Sequence, residues 1–96
     1  MLFIFDRDRT GGFWMHQVRI PLDIAFIAAD GTIVRVMRME PCRAAVAFLC
    51  PGYRPGAPYR MAMEVPGGWL TARGIGSGDR VTVRRDAPRP HAPASR

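Results

Sequence analysis

The apolar positions of this chain fall in short runs separated by turn residues, the pattern of a β-rich domain. Met1 to Phe5 is continuously apolar and reads as a buried strand, followed by a polar turn over Asp6-Arg7-Asp8-Arg9-Thr10-Gly11-Gly12. Phe13 to Arg19 reads as a second strand, with Trp14, His16 and Val18 on one face and Phe13, Met15 and Gln17 on the other. Pro21 has no N–H to give a ladder, so that strand stops or kinks there. Leu22 to Ala28 and Thr32 to Glu40 then flank Asp30-Gly31, the strongest hairpin signal in the chain.

The hairpin admits two registers. A two-residue turn at Asp30-Gly31 sets Asp23 opposite Arg38 as a cross-strand ion pair. A three-residue loop, Ala29-Asp30-Gly31 with Gly31 in the left-handed bulge position, sets Asp23 opposite Met37 instead. Ala-Asp-Gly suits the bulged form slightly better. Both strands are apolar on both faces (Ile24 and Phe26 against Ala25 and Ile27), so the hairpin is expected to be central and covered on two sides.

From Pro41 to Pro58 the chain reads as a long loop, rich in proline and holding both cysteines. Tyr59 to Val65 alternates, with Tyr59, Met61, Met63 and Val65 inward and Arg60, Ala62 and Glu64 outward. Pro66-Gly67-Gly68 breaks it, and Trp69 to Arg73 forms one or two helical turns ended by Gly74. A tight turn over Ile75-Gly76-Ser77-Gly78-Asp79 leads into a last strand, Arg80 to Arg84. Residues 1–85 are thus expected to form a single β-rich domain and 86–96 a disordered Pro/Ala/Arg tail without large apolar groups. The fold class is mostly β (α+β), antiparallel, with one or two short helices.

Composition changes this picture little. The chain has 96 residues, enough for one small core, and 48% of them are hydrophobic, as in an ordinary globular domain. No apolar stretch reaches the roughly 18 residues of a membrane helix. Met1 to Phe5 has no basic segment before it and is closed by Asp6, so it does not read as a signal peptide. Cytoplasmic location is expected if Met1 is the start, and export if the start lies upstream.

All 14 basic residues are arginine, giving a net charge of +6. An arginine-rich chain suggests nucleic acid. The arginines are scattered, however, and only Arg84-Arg85 forms a run, which points to a solvated basic surface rather than specific nucleic-acid binding.

One order of segments carries a resemblance. Leu2-Phe3-Ile4-Phe5, Phe13-Trp14-Met15, Ile20-Pro21-Leu22-Asp23-Ile24-Ala25-Phe26-Ile27, Asp30-Gly31, Tyr59 through Glu64, Gly74-Ile75 and Gly78-Asp79-Arg80-Val81 follow one another here. That order resembles the uncharacterised prokaryotic family called domain of unknown function 192, over nearly the whole chain except the tail. The resemblance implies a small, mostly antiparallel β-barrel-like fold with short helical pieces, and brings no activity, cofactor or catalytic residue. Family members usually follow Trp-Met with Lys-Asn-Thr, where this chain has His16-Gln17-Val18. They also begin before the segment equivalent to Met1-Leu2-Phe3, so the resemblance implies either a start that lies upstream or a barrel open on one side, and an open edge leads to the expectation of a homo-oligomer or a marginally stable monomer.

The candidate chemistry is sparse. Trp14, His16 and Gln17, with Asp23 and Glu64 from later strands, could line a polar pocket for a small or extended ligand, and His16 beside a carboxylate could act as a general base. A lone histidine on a mixed strand is more often a surface or hydrogen-bonded residue. Cys42 and Cys50, eight apart, are a candidate disulfide or two reduced apolar side chains; with His16 or His91 they make an incomplete metal set. Gly74-Ile75-Gly76-Ser77-Gly78 precedes a strand rather than a helix, so it reads as a turn and not a phosphate loop. Met37, Met39, Met61 and Met63 recur at strand period as core filling. No catalytic residue, metal or cofactor is expected. A ligand-binding module is the first reading, an interaction protein using a strand edge the second, and an enzyme a distant third.

Overall fold

The computed structural model describes residues 1–84; residue 85 and the tail expected over 86–96 lie outside the described residues. Among the described residues six strands form, Leu2–Arg9 (β1), Phe13–Trp14 (β2), Leu22–Ile27 (β3), Ile33–Met39 (β4), Gly52–Tyr53 (β5) and Tyr59–Pro66 (β6). A 3-10 turn occupies Ala47–Leu49 and one short helix Trp69–Ala72 (α1). The fold is mostly β and antiparallel. The main sheet runs β1-β6-β3-β4 and the second pairs β2 with β5. Among the described residues it does not close into a barrel: β1 and β4 are its edges.

β3 does not alternate because both of its faces are covered. Ile24 and Phe26 join Phe3, Met39, Tyr59 and Ala62 in one core, completed by Phe13 of β2 and Met15 just after it. Ala25 and Ile27 pack with Ile33 in a second core, capped by Leu70 of α1. The hairpin is therefore only half central, β3 lying inside the sheet and β4 at its edge. The same two-sided cover corrects the reading of β6: Ala62 and Glu64, expected outward, are buried.

The hairpin combines features of both registers. Ala28 N–H bonds to Thr32 O at 2.8 Å and Gly31 N–H to Ala28 O at 2.9 Å, so Ala29-Asp30-Gly31 is the loop, with Gly31 at φ 92°. Ile27 faces Ile33, yet Phe26 faces Arg35 and Asp23 faces Arg38. Val34 is thus an extra residue on β4. This bulge moves the pairing by one and restores the Asp23–Arg38 pair. The Asp30 carboxylate accepts the Thr32 N–H at 2.9 Å, which pulls its pKa below the usual carboxylate range.

Other expectations need correction. The strand over 13–19 stops at Trp14, because Met15 O accepts from both Val18 N–H (3.1 Å) and Cys42 N–H (3.3 Å) and the chain turns there. Residues 80–84 form no strand: Arg80 makes one isolated bridge to Thr32. Within the long loop, β5 finds β2 as its partner. α1 ends as predicted, with Gly74 at φ 68°, Gly74 N–H on Thr71 O and Ile75 N–H on Leu70 O, both 3.0 Å.

Tyr59 ties the aromatic cluster together. Its ring lies edge-on to Phe26 at 4.9 Å, and its hydroxyl donates to Gly11 O at 2.8 Å. Burial pushes the phenol pKa above its ordinary value, and the charge of Arg9 offsets this in part. The folded state therefore holds the Tyr59 proton more tightly than the unfolded chain does. The associated stability is intact below about pH 10 and is lost as pH rises through the raised pKa. An alkaline titration is expected to show loss of near-UV circular dichroism together with Tyr59 ionisation above that pH. Ionisation of Tyr59 at lower pH with the fold unchanged would contradict this.

Candidate functional site

Where β4 ends, Pro41 takes the chain out of the sheet and Cys42 returns it to the segment after β2. His16 and Cys42 form an isolated parallel bridge, and Gln17 stands at φ 64°, in the left-handed region where a non-glycine residue is rare. Met15 is held in the core, so the chain turns outward over His16-Gln17 and back in at Val18. As a result His16–Arg19 and Pro41–Ala45 face each other across an open cleft of about 790 Å³. That is within the range of small-molecule sites, roughly 300–1,000 Å³. Its ionisable lining groups are His16, Arg19 and Arg43, with no carboxylate among them.

One wall belongs to a covalently closed ring. Cys42 and Cys50 are joined as a disulfide, with Cα atoms 5.8 Å apart. Closing so short a loop contributes on the order of 2–3 kcal/mol by loop entropy. We expect Cys42→Ser/Cys50→Ser to lower stability by about that much and to loosen the 42–50 segment selectively. A Tm unchanged by reductant, with unchanged protease resistance of that segment, would contradict this.

His16 and Gln17 both line the cleft, while Trp14, Asp23 and Glu64 do not. Trp14 is 39% exposed and lies over Gly52, where an added Cβ would sit 3.2 Å from its Nε1. Asp23 and Glu64, adjacent to paired positions in the ladder, stand on opposite faces of the sheet. Glu64 faces Ile24 and so shares the face of the first core, whereas Asp23 faces Arg38 and Val65.

Asp23 is buried, and each of its carboxylate oxygens accepts a hydrogen bond. It accepts Arg38 Nε at 2.6 Å and Gly68 N–H at 2.7 Å, clamping the Pro66-Gly67-Gly68 turn to the hairpin. That hydrogen bond and the carboxylate charge hold the Arg38 guanidinium above its already high ordinary pKa. Among the described residues no three His, Cys, Asp or Glu side chains come together as metal ligands, and no helix is long and apolar enough to cross a membrane.

Arg19, Arg43 and Ala44 were not singled out by sequence reasoning. The available signal was the departure from Lys-Asn-Thr at His16-Gln17-Val18, which falls in the cleft, and the two prolines flanking the cysteines.

The profile of the DUF192 family, described as Uncharacterized ACR, matches residues 1–83. A crystal structure from Sinorhizobium meliloti 1021, described as that of a candidate transcription regulator, superposes with a TM-score of 0.67 at 31% identity. The match covers 83% of this chain and 58% of that one, so this chain spans little more than half of that protein. No curated protein matches the chain.

Proposed function

The chain belongs to the DUF192 family, and we propose that within this fold it is a non-catalytic ligand-binding module whose site is the cleft between His16–Arg19 and Pro41–Ala45. The observation that carries the reading is the cleft itself: two segments joined by the His16–Cys42 bridge, one bent outward at Gln17 in a left-handed conformation and the other closed into the Cys42–Cys50 ring. A wall closed by a covalent ring loses little conformational freedom when a ligand arrives, which favours binding. General acid–base catalysis is less well supported. His16 shares the cleft with two arginines and lacks a carboxylate to orient it or a hydroxyl to activate. The regulator description of the Sinorhizobium protein is not carried over, since α1 has four residues, short for a recognition helix in a major groove.

Ala44 is half-buried in the cleft wall, so Ala44→Trp would fill the space while leaving both cores untouched. In a thermal-shift screen of small molecules we expect stabilising compounds for the native chain and none of those shifts in Ala44→Trp. Compounds that stabilise both proteins equally would place the binding elsewhere and refute the reading.

A second reading, self-association through β1, is favoured by the position of β1 at a sheet edge. Its outer half, Asp6 to Arg9, is charged and lies where three extra residues break the pairing with β6, both of which discourage edge pairing. Ile4→Pro is expected to leave the mass by light scattering unchanged if the cleft reading is the whole account, and to dissociate an oligomer if the edge is used.

A further inference from the structure

The ring that forms one wall of the cleft carries a second, unlike surface. Val46, Phe48 and Leu49 are 41%, 76% and 62% exposed, and the 3-10 turn that presents them buries none of its residues. Single exposed apolar residues are ordinary, but three within four positions on a closed ring form a patch. The disulfide keeps this patch close to the cleft. With the Cα atoms of Cys42 and Cys50 5.8 Å apart, the Cα of Phe48 lies within roughly 13 Å of that of Cys42.

The charge of the cleft lining is one-sided. No Asp or Glu occurs between Asp8 and Asp23, or between Glu40 and Glu64, and these two intervals supply every residue of the lining. Arg38 and Arg60 each engage a carboxylate, and Arg35 reaches Pro55 O. Arg19 and Arg43 make no hydrogen bond or ion pair with another described residue. Arginines on both walls, with no carboxylate in the lining, suit an oxyanion, which two guanidinium groups can grip in planar, bidentate fashion.

Resting on the cleft reading, we infer that the ligand is an anionic amphiphile bound as a single molecule. Its phosphate or carboxylate head sits between Arg19 and Arg43, and its hydrocarbon part lies on Val46, Phe48 and Leu49. The cleft has the volume of a small-molecule site, and the patch beside it is exposed to solvent.

Titration calorimetry with decyl phosphate below its critical micelle concentration tests this, alongside inorganic phosphate, decanol and decyltrimethylammonium. Decyl phosphate should bind, at least ten-fold more tightly than inorganic phosphate, and more weakly as salt rises. Arg19→Gln/Arg43→Gln should weaken it ten-fold or more without changing Tm. Phe48→Ser/Leu49→Ser, which alters only exposed side chains, should weaken decyl phosphate and leave inorganic phosphate unchanged. Equal binding of decanol or decyltrimethylammonium, blocked by Ala44→Trp, would overturn the anionic head while the cleft reading stands. Association with phosphatidylglycerol vesicles but not with monomeric decyl phosphate would overturn single-molecule binding in favour of a membrane surface. If no probe binds and the small-molecule screen also yields no compound lost in Ala44→Trp, both the inference and the cleft reading fail.

Discussion

Replacing Gly31 with alanine is expected to destabilise the domain by about 3 kcal/mol, a fall of roughly 15 °C in Tm for a domain of this size. Two costs combine. Gly31 stands at φ 92°, a conformation that costs an L-residue about 1–2 kcal/mol. An added Cβ would also press into the carbonyl oxygen of Val81, a backbone atom that cannot rotate away. The segment 79–81 would have to retreat, loosening Val81 N–H on Gly31 O (2.7 Å) and Ile33 N–H on Asp79 O (2.8 Å). Each such bond contributes about 0.5–1.5 kcal/mol. Gly56 separates the two costs, since it has φ 77° but open space around its Cβ position. Gly56→Ala should therefore lose only about 1–2 kcal/mol. Equal losses for the two variants in urea denaturation would contradict the close approach of Val81.

Asp23→Ala is expected to cost a similar amount, about 3 kcal/mol. Asp23 is 4% exposed, and removal of its carboxylate strands two donors at once, Arg38 Nε and Gly68 N–H. The guanidinium is less affected, because the Arg38 side chain is 49% exposed and can return to water. The Gly68 amide is held in place by the turn, whose Gly67 packs so closely on Arg38 that an added Cβ would lie 3.2 Å from Cζ. Asp23→Asn keeps one acceptor oxygen and should recover part of the loss. Arg38→Ala should cost less than Asp23→Ala, since it leaves the carboxylate its Gly68 partner. Chemical denaturation of the three variants checks the order, and a larger loss in Arg38→Ala would show that the clamp on the turn is not what Asp23 supplies.

Much of the fold was legible wherever local chemistry decides the conformation. Asp30-Gly31 announces the hairpin because a left-handed residue is needed there, and Gly74 marks the end of α1 for the same reason. The Asp23–Arg38 pair was visible as one of two registers. It was reached by a route that local pattern does not encode: a bulged loop at the tip and a compensating extra residue, Val34. Ala62 and Glu64 read as outward because alternation says nothing of whether a second layer lies beyond. The two-residue strands β2 and β5 are too short to leave a pattern, and they exist because they meet each other.

The candidate site was half legible. His16 and Gln17 were singled out together and do share the cleft, but Arg19, Arg43 and Ala44 enter it only through the return of the chain at Cys42. Asp23 and Glu64 are one apart in the ladder, and period two sends their side chains to opposite faces. That separation cannot be seen until the register of β3 against β6 is known.

The most direct test of the cleft is an amide chemical-shift titration of the isotopically labelled chain with decyl phosphate and with any compound that stabilises it in the screen. The account predicts saturable shifts concentrated at His16–Arg19 and Cys42–Ala45, absent in Ala44→Trp. Shifts centred on the outer edge of β1, or none at these two segments while a compound still stabilises the fold, would contradict it.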